Sequence, residues 1–442
     1  MELVIQISQF IMSLSLLIIL HELGHFIPAK LFKTKVEKFY LFFDWPFSLI
    51  KKKIGETEYG IGLLPLGGYV KIAGMIDESM DKDQLKEEPK EWEFRSKPTW
   101  QRLIIMIGGV TVNLILGFLI YIMMLFVWGD TYISNDKIQN GAHLSSPIYE
   151  KYGLKEGDLI TEVGENKIVE FGTAEKFILI DGERNIKIKR ENKIISLTLS
   201  EGIITELLKN KGQGIFSNYR TYNIIDSILP ASNADNAGFL PGDSIVEING
   251  VSTPYFLDFV KEIQKYKSEE INISFFRNNS YKTFKVTTNQ NSEIGYSRNI
   301  AFDKSISESK KFSFIESIPA GINMGMETLS NYVKSLSLIF NKEGAKQIGG
   351  FASIGGLFDT TWNWRVFWGM TALLSIILAF MNILPIPALD GGHVIFLLYE
   401  MISGKPPSDR FLTTAQVVGM TILFSLLIYA NGMDIFRWVT GQ

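Results

Sequence analysis

No cysteine occurs anywhere in the 442 residues, which excludes disulfides and thiolate metal ligands and leaves the redox state of the compartment unreadable. Histidine is nearly as scarce, confined to positions 21, 25, 143 and 393, so any metal site must draw on carboxylates beside its imidazoles. There is no basic excess either: 44 Lys and Arg face 47 Asp and Glu, for a net charge of −3. Nothing is left over to neutralise phosphates, which excludes nucleic acid as a general partner. Charge is absent altogether from residues 3–21, 103–129, 366–389 and 411–433, each long enough to cross a bilayer. Because 46% of the chain is hydrophobic while 21% is charged, the two kinds of residue are segregated along it. The reading is a multi-domain membrane protein with a four-transmembrane-helix α-helical core in contact with lipid. The first run lacks a basic leader and continues directly into a polar motif, so it reads as retained rather than as a cleaved signal.

That motif is His21-Glu22-Leu23-Gly24-His25. Four-residue spacing puts both imidazoles on one helix face, where they can converge on one Zn²⁺, with Glu22 beside the first ligand. Three ionisable groups within five residues at membrane depth are costly, on the order of 3 kcal/mol each, and point to a ligand that compensates them. Asp390 is the natural third ligand. It closes the run 366–389, which Pro385 and Pro387 interrupt, and irregular backbone at that depth needs protein or a water-filled cavity around it. Position alone allows Asp390 to mark only the aqueous end of a helix before Gly391-Gly392; beside His-Glu-x-x-His the ligand reading prevails. Three ligands leave a fourth position for water, as a catalytic zinc site requires.

The motif around His21, Ala29 after it, and Asn382-Ile383-Leu384-Pro385-Ile386-Pro387-Ala388-Leu389-Asp390-Gly391 together resemble the site-2 protease family of intramembrane zinc metalloproteases, over nearly the whole chain. The resemblance implies zinc held by His21, His25 and Asp390, Glu22 as the general base, and Asn382 as a substrate-orienting group, for which a helix-packing amide is the alternative. It also implies a membrane-associated β-hairpin beside the site, at about 56–73. Short apolar arms around Pro65 and Gly67-Gly68 read independently as such a hairpin, whose open edge could hold an unwound substrate by strand addition, with Gly60 and Gly62 as substrate-binding positions. Asn113 in the second run is the family's recurrent polar residue there, and an amide in an apolar helix reads as helix-to-helix glue. Where the family shows Gly-Pro-[IV]-Gly-Ile, this chain has Gly350-Phe351-Ala352-Ser353-Ile354, which touches no ligand.

Lys30, Lys33, Lys35 and Lys38 follow the first run and Lys405 and Arg410 precede the last, so the positive-inside rule puts both termini outside and the motif toward the cytoplasmic side. Residues 77–97 are charge-dense and read as a solvated connector. Between helices 2 and 3 the chain turns polar and repeats itself: Gly153 to Val163 returns 85 residues later as Gly238 to Ile248. Both copies resemble the PDZ element, giving two tandem PDZ-like, mainly β domains at 130–215 and 216–310, with a helix at 256–266 and strands near 271–277 and 281–287 in the second. They would recognise a trimmed substrate terminus or act as a steric filter. Residues 311–346 contain an amphipathic helix, lying in the interface or packed on the second of these domains, and 347–442 complete the core begun in 1–129.

The function expected is hydrolysis within single-span membrane proteins in a bacterial inner membrane, with the PDZ-like domains periplasmic. By resemblance the substrate is an anti-sigma factor already cut by a site-1 protease in a stress response, or a signal-peptide remnant. Two rivals remain. A transporter would show related halves in its membrane segments, whereas the repeat lies in the polar insert. A membrane-anchored tandem-PDZ scaffold with a non-catalytic metal motif would tolerate loss of His21.

Overall fold

The computed structural model describes residues 1–65, 67–75, 88–210 and 213–440. They form two compact units, Met1–Gly129 with Lys311–Gln442, and Asp130–Lys310. Among the described residues four helices are long and apolar enough to cross a membrane.

Helix α1 (Glu2–Leu31) carries the His-Glu-x-x-His motif in its C-terminal half. A four-stranded sheet follows: β1 (Val36–Leu41), β2 (Phe43–Ile54), β3 (Thr57–Leu64) and β4 (Tyr69–Ile72), in the order β2-β3-β1-β4. This corrects the expected hairpin at 56–73. β3 and β4 do not pair with each other; β3 runs parallel to β1 on one side and β4 antiparallel to it on the other. The hairpin is β2–β3, whose tight link contains Gly55 at φ 61. The Pro and Gly-Gly stretch read as a turn instead carries the chain across β1. The strongly apolar exposed strand is β2, with Trp45 71% and Ile50 65% exposed. The connector expected at 77–97 lies outside the described residues through 87; beyond it a short 3-10 turn, Phe94–Ser96, leads to Pro98 and helix α2 (Thr99–Trp128), which ends on Gly129 at φ 69.

The unit Asp130–Lys310 opens and closes on one antiparallel pair, Asp130–Ile133 against Ser307–Lys310. Between these ends lie two β modules, one around Tyr149, Leu154, Ile178 and Ile188, the other around Phe239, Ile245, Ile273 and Phe275. Strand Phe216–Tyr219 pairs with Ala142–Leu144, so it completes the first module and moves the expected 215/216 boundary a few residues along. In the second, the helix is Phe256–Ile263 and the strands Glu270–Arg277 and Ser280–Thr287. The repeat read from sequence has one physical basis in both copies. The fully buried Asp158 accepts Nε and Nη2 of Arg190 at 2.7 and 2.8 Å and the amide of Lys155 at 2.7 Å; Asp243 does the same with Arg277, both at 2.7 Å, and Leu240, at 2.9 Å. Each guanidinium also donates to the turn carbonyl, Gly153 or Gly238, so one bidentate pair closes each Gly-x-x-x-Gly-Asp turn onto its sheet.

Back in the first unit, helix α3 (Phe314–Ser335) starts at a capping box formed by Ser313 and Glu316. Its amphipathic pattern suggested two environments, an interface or the second module. Its packing is on α2: Ser317, Gly321 and Gly325 are buried at four-residue spacing, and a Cβ at Gly321 would come within 2.6 Å of the Ile122 backbone. The small-xxx-small stripe lets the two backbones approach. Helix α4 (Trp364–Ile383) begins at Asn363, whose side chain accepts the amides of Arg365 and Val366, and stops ahead of Pro385. After the loop 384–389, helix α5 (Asp390–Ser403) packs on α2, and α6 (Asp409–Thr440) completes the unit.

Candidate metal centre

Two glycine contacts build the site. A Cβ at Gly24 would lie 2.5 Å from the Gly108 carbonyl oxygen, so α1 and α2 meet with backbones nearly touching. One residue on, Gly109 faces the imidazoles, and a Cβ there would lie 2.7 Å from His21 Cε1 and closer still to His25 Nε2. The crossing that brings α2 to the motif thus also leaves room for both rings.

Asp390 enters from α5. Its Oδ2 is 3.3 Å from His21 Nε2 and 3.3 Å from His25 Nε2, and the two Nε2 atoms are 3.3 Å apart. A tetrahedron with zinc–ligand bonds of about 2.05 Å has edges of about 3.3 Å, so one face of a zinc coordination sphere matches this triangle. Asp390 Oδ2 is buried and accepts no hydrogen bond, a cost that a cation removes. The histidine tautomers agree. His25 Nδ1 is 2.8 Å from the Ile105 carbonyl, which can only accept, so Nδ1 carries the proton and Nε2 presents a lone pair. His21 Nδ1 is 3.3 Å from the Asn113 amide, whose Oδ1 is buried without a partner. Turned end for end, that amide takes the Nδ1 proton of His21 and leaves its Nε2 free as well.

Asn113 therefore touches a site residue, where sequence alone had made it helix glue. Both roles are present: its backbone carbonyl accepts Ser375 Oγ of α4 at 2.6 Å. The signal available was its place four residues after Gly109, one turn along the helix that faces the motif. Glu22 is buried, and Gly68 lies against it, since a Cβ there would be 3.4 Å from Glu22 Cγ and 2.5 Å from Ile18 Cγ2. Asn382 sits half-buried in the last turn of α4 and contributes no atom to the triangle. Gly60 and Gly62 are on β3, an interior strand paired on both sides, and the space over them is filled by the Tyr40 ring and the Phe43 backbone. At Gly60 both edges are taken, by Tyr40 of β1 and Lys51 of β2, whereas the pairing with β1 stops at Ile61, just before Gly62; among the described residues the outer strands are β2 and β4.

A second group of potential ligands, His143, Glu156 and Asp258, joins the two β modules. It is held on one side by ion pairing, while His143 Nε2 is buried without a hydrogen-bond partner. His143 Nδ1 is 2.7 Å from Glu156 Oε1 and 3.6 Å from Asp258, while Arg220, stacked 4.0 Å over Tyr255, stands 3.8 Å from Glu156 and supplies the positive charge.

Two imidazoles and a carboxylate converging among membrane-length helices, with a glutamate next to the first ligand, make the donor set of a hydrolytic zinc enzyme. The profile of peptidase family M50 matches residues 9–426, and the chain belongs to that family. The chain is similar to the regulator of sigma E protease of Haemophilus influenzae, 27% identical over 98% of both chains. It is also similar to two proteins named "Putative zinc metalloprotease", from Thermotoga maritima (26% identical, over 98% of this chain and 99% of that one) and Borreliella burgdorferi (27%, over 96% of each). The protein is a zinc metalloprotease of the site-2 type, with zinc as its cofactor.

Proposed function

We propose that His21, His25 and Asp390 hold the zinc and that Glu22 is the general base in hydrolysis of peptide bonds within or near the membrane segment of single-span proteins. The observation that carries this reading is the 3.3 Å triangle of ligand atoms. When bound, zinc lowers the pKa of water to about 7 and polarises a carbonyl. Glu22 takes the proton as water's oxygen bonds to the scissile carbon, then returns it to the nitrogen as the C–N bond breaks, leaving a carboxylate and an amine. Ile105 and Asn113 keep both imidazoles in the ligating tautomer, and Glu22 is buried beside the first ligand.

A helical substrate hides its peptide bonds, so it must be extended before cleavage. β4 begins one residue after Gly68, the glycine beside Glu22, and is an outer strand of the sheet among the described residues, which makes it the strand best placed to meet an extended substrate. Asn382 would orient the substrate carbonyl; Gly60 and Gly62 would act only by keeping the sheet flat against Tyr40 and Phe43. The two β modules, each with its Gly-Asp turn, are PDZ-like domains that admit or select substrates already trimmed outside the membrane. The positive-inside pattern supports placing them and both termini in the periplasm of a bacterial inner membrane, with the site toward the cytoplasm. The name of the Haemophilus relative, regulator of sigma E protease, fits an anti-sigma factor as the substrate, which on this proposal would first be cut by a site-1 protease.

The test is a pair of variants of the purified full chain, assayed on a reconstituted single-span substrate. Glu22→Gln is expected to keep stoichiometric zinc and lose cleavage, and His21→Ala to lose both. Cleavage by Glu22→Gln would refute the assigned base.

A further inference from the structure

α5 carries one ligand of the proposed site, yet little in its own flanks fixes its direction. It has 14 residues. A loop with two prolines and Ala388 at φ 91 precedes it, and Gly404 at φ 71 ends it. What α5 packs against therefore decides where Asp390 points. Val394 and Leu397 share a core with Ile105 and Met106 of α2 and Ala29 of α1, but apolar contact is non-directional and sets separation better than rotation.

Direction comes from Glu400. Residues 390, 394, 397 and 400 fall on one face of the helix, so Glu400 continues the stripe that starts at the ligand. Its carboxylate accepts Arg102 Nη1 at 3.1 Å, Arg102 Nη2, and Thr99 Oγ1 at 3.1 Å. The guanidinium is itself held, by Nε on the Lys97 carbonyl at 2.9 Å and Nη2 on Thr99 Oγ1 at 3.2 Å. Arg102 and Glu400 are 14% and 13% exposed, so the fork is largely shielded from competing water. Its placement is informative. A carboxylate in the last turn of α5 opposes that helix's own dipole, whereas Thr99 and Arg102 occupy the first turn of α2, where negative charge is favoured. Glu400 thus stabilises the contact between helices at the expense of its own helix.

We infer that Arg102, Thr99 and Glu400 are positioning residues for the metal site, fixing the rotation of α5 on α2 so that Asp390 meets the histidines. α2 also carries Ile105, the partner of His25, and Asn113, the partner of His21, so one helix aligns all three ligands. The inference rests on the zinc reading of those ligands.

Cobalt(II) binding to the purified full chain tests it, read by ligand-field absorption and by competition with a chelator, with a thermal melt as the folding control. Glu400→Gln and Arg102→Lys, which keeps charge but loses the fork, are expected to weaken Co²⁺ binding roughly 10- to 100-fold and to shift the spectrum. Thr99→Ala should do so more weakly. The reversed pair Arg102→Glu/Glu400→Arg suits both helix dipoles and should restore the wild-type spectrum. Folded variants with wild-type affinity and spectrum would overturn the inference, as would a folded reversed pair no closer to the wild-type affinity and spectrum than the single variants. If a single variant does not fold, the reversed pair and Thr99→Ala decide. A wild-type chain that takes up no Co²⁺, or a His21→Ala variant that binds it unchanged, would instead overturn the metal reading.

Discussion

Gly109→Ala probes the site with a single methyl group. The added carbon would stand 2.7 Å from His21 Cε1, against an ordinary carbon contact of about 3.5–4.0 Å, so the rings or the helix must yield by about 1 Å. The ring atoms cannot yield freely, because His25 is tied to the Ile105 carbonyl and His21 to Asn113, and the ligand triangle has edges of 3.3 Å. A 1 Å misplacement costs about 10²-fold in rate, and disturbed support of metal ligands about 10- to 100-fold in affinity. Gly117→Ala is the matched control on the same helix. Its Cβ would meet Ile376 Cγ1 at 2.6 Å, a contact of similar closeness with the buried core of a neighbouring helix and with no ligand atom among its neighbours. The assay is zinc content after dialysis against a graded chelator, with kcat/KM on a single-span substrate. The expected result is loss of both in Gly109→Ala and near-wild-type values in Gly117→Ala. Equal behaviour of the two variants would refute the argument that the α1–α2 crossing shapes the site.

Two further outcomes follow from other parts of the molecule. In the first β module, burial raises the Glu175 pKa above 4.5, outweighing the backbone amides of Ile215 and Phe216 that lower it. The folded state then keeps this proton to higher pH than the unfolded chain, so the group's contribution is intact below 4.5 and is lost as pH rises through the folded value. Glu175→Gln is expected to remove that loss, narrowing the difference in melting temperature of the insert between acid and neutral pH; an unchanged difference would contradict it. Gly321→Leu should lift α3 from the Ile122 backbone, seen as faster tryptic cleavage within 311–346, while zinc content stays at the wild-type level. Wild-type protection would mean that the glycine stripe does not hold α3.

The parts legible in the sequence were those encoded locally or by exclusion. Four uncharged runs, a motif at helical spacing and one acid beside broken apolar sequence need no knowledge of pairing. The 85-residue repeat was legible because its turn is built from adjacent residues; the arginines that close it, Arg190 and Arg277, were not, because they come from strands more than thirty residues away. Strand pairing failed for the same reason. Thr57 to Ile72 has the composition of a hairpin, but the parallel partner β1 lies upstream and competes successfully for both arms. The apolar face of α3 was legible, and Leu329 on it does pack against α2, but the glycines at 321 and 325 that let the two backbones approach carry no pattern of their own in the sequence. Asn113 was read by its commonest role in apolar helices, and only the crossing at Gly24 and Gly108 brings it to His21.

The most direct test of the account is X-ray absorption at the zinc edge of the purified full chain, compared with Asp390→Ala. The account predicts a first shell of two imidazole nitrogens and two oxygens at about 2.0–2.2 Å, with one oxygen lost in the variant. A wild-type shell that is unchanged when Asp390 is removed would contradict it.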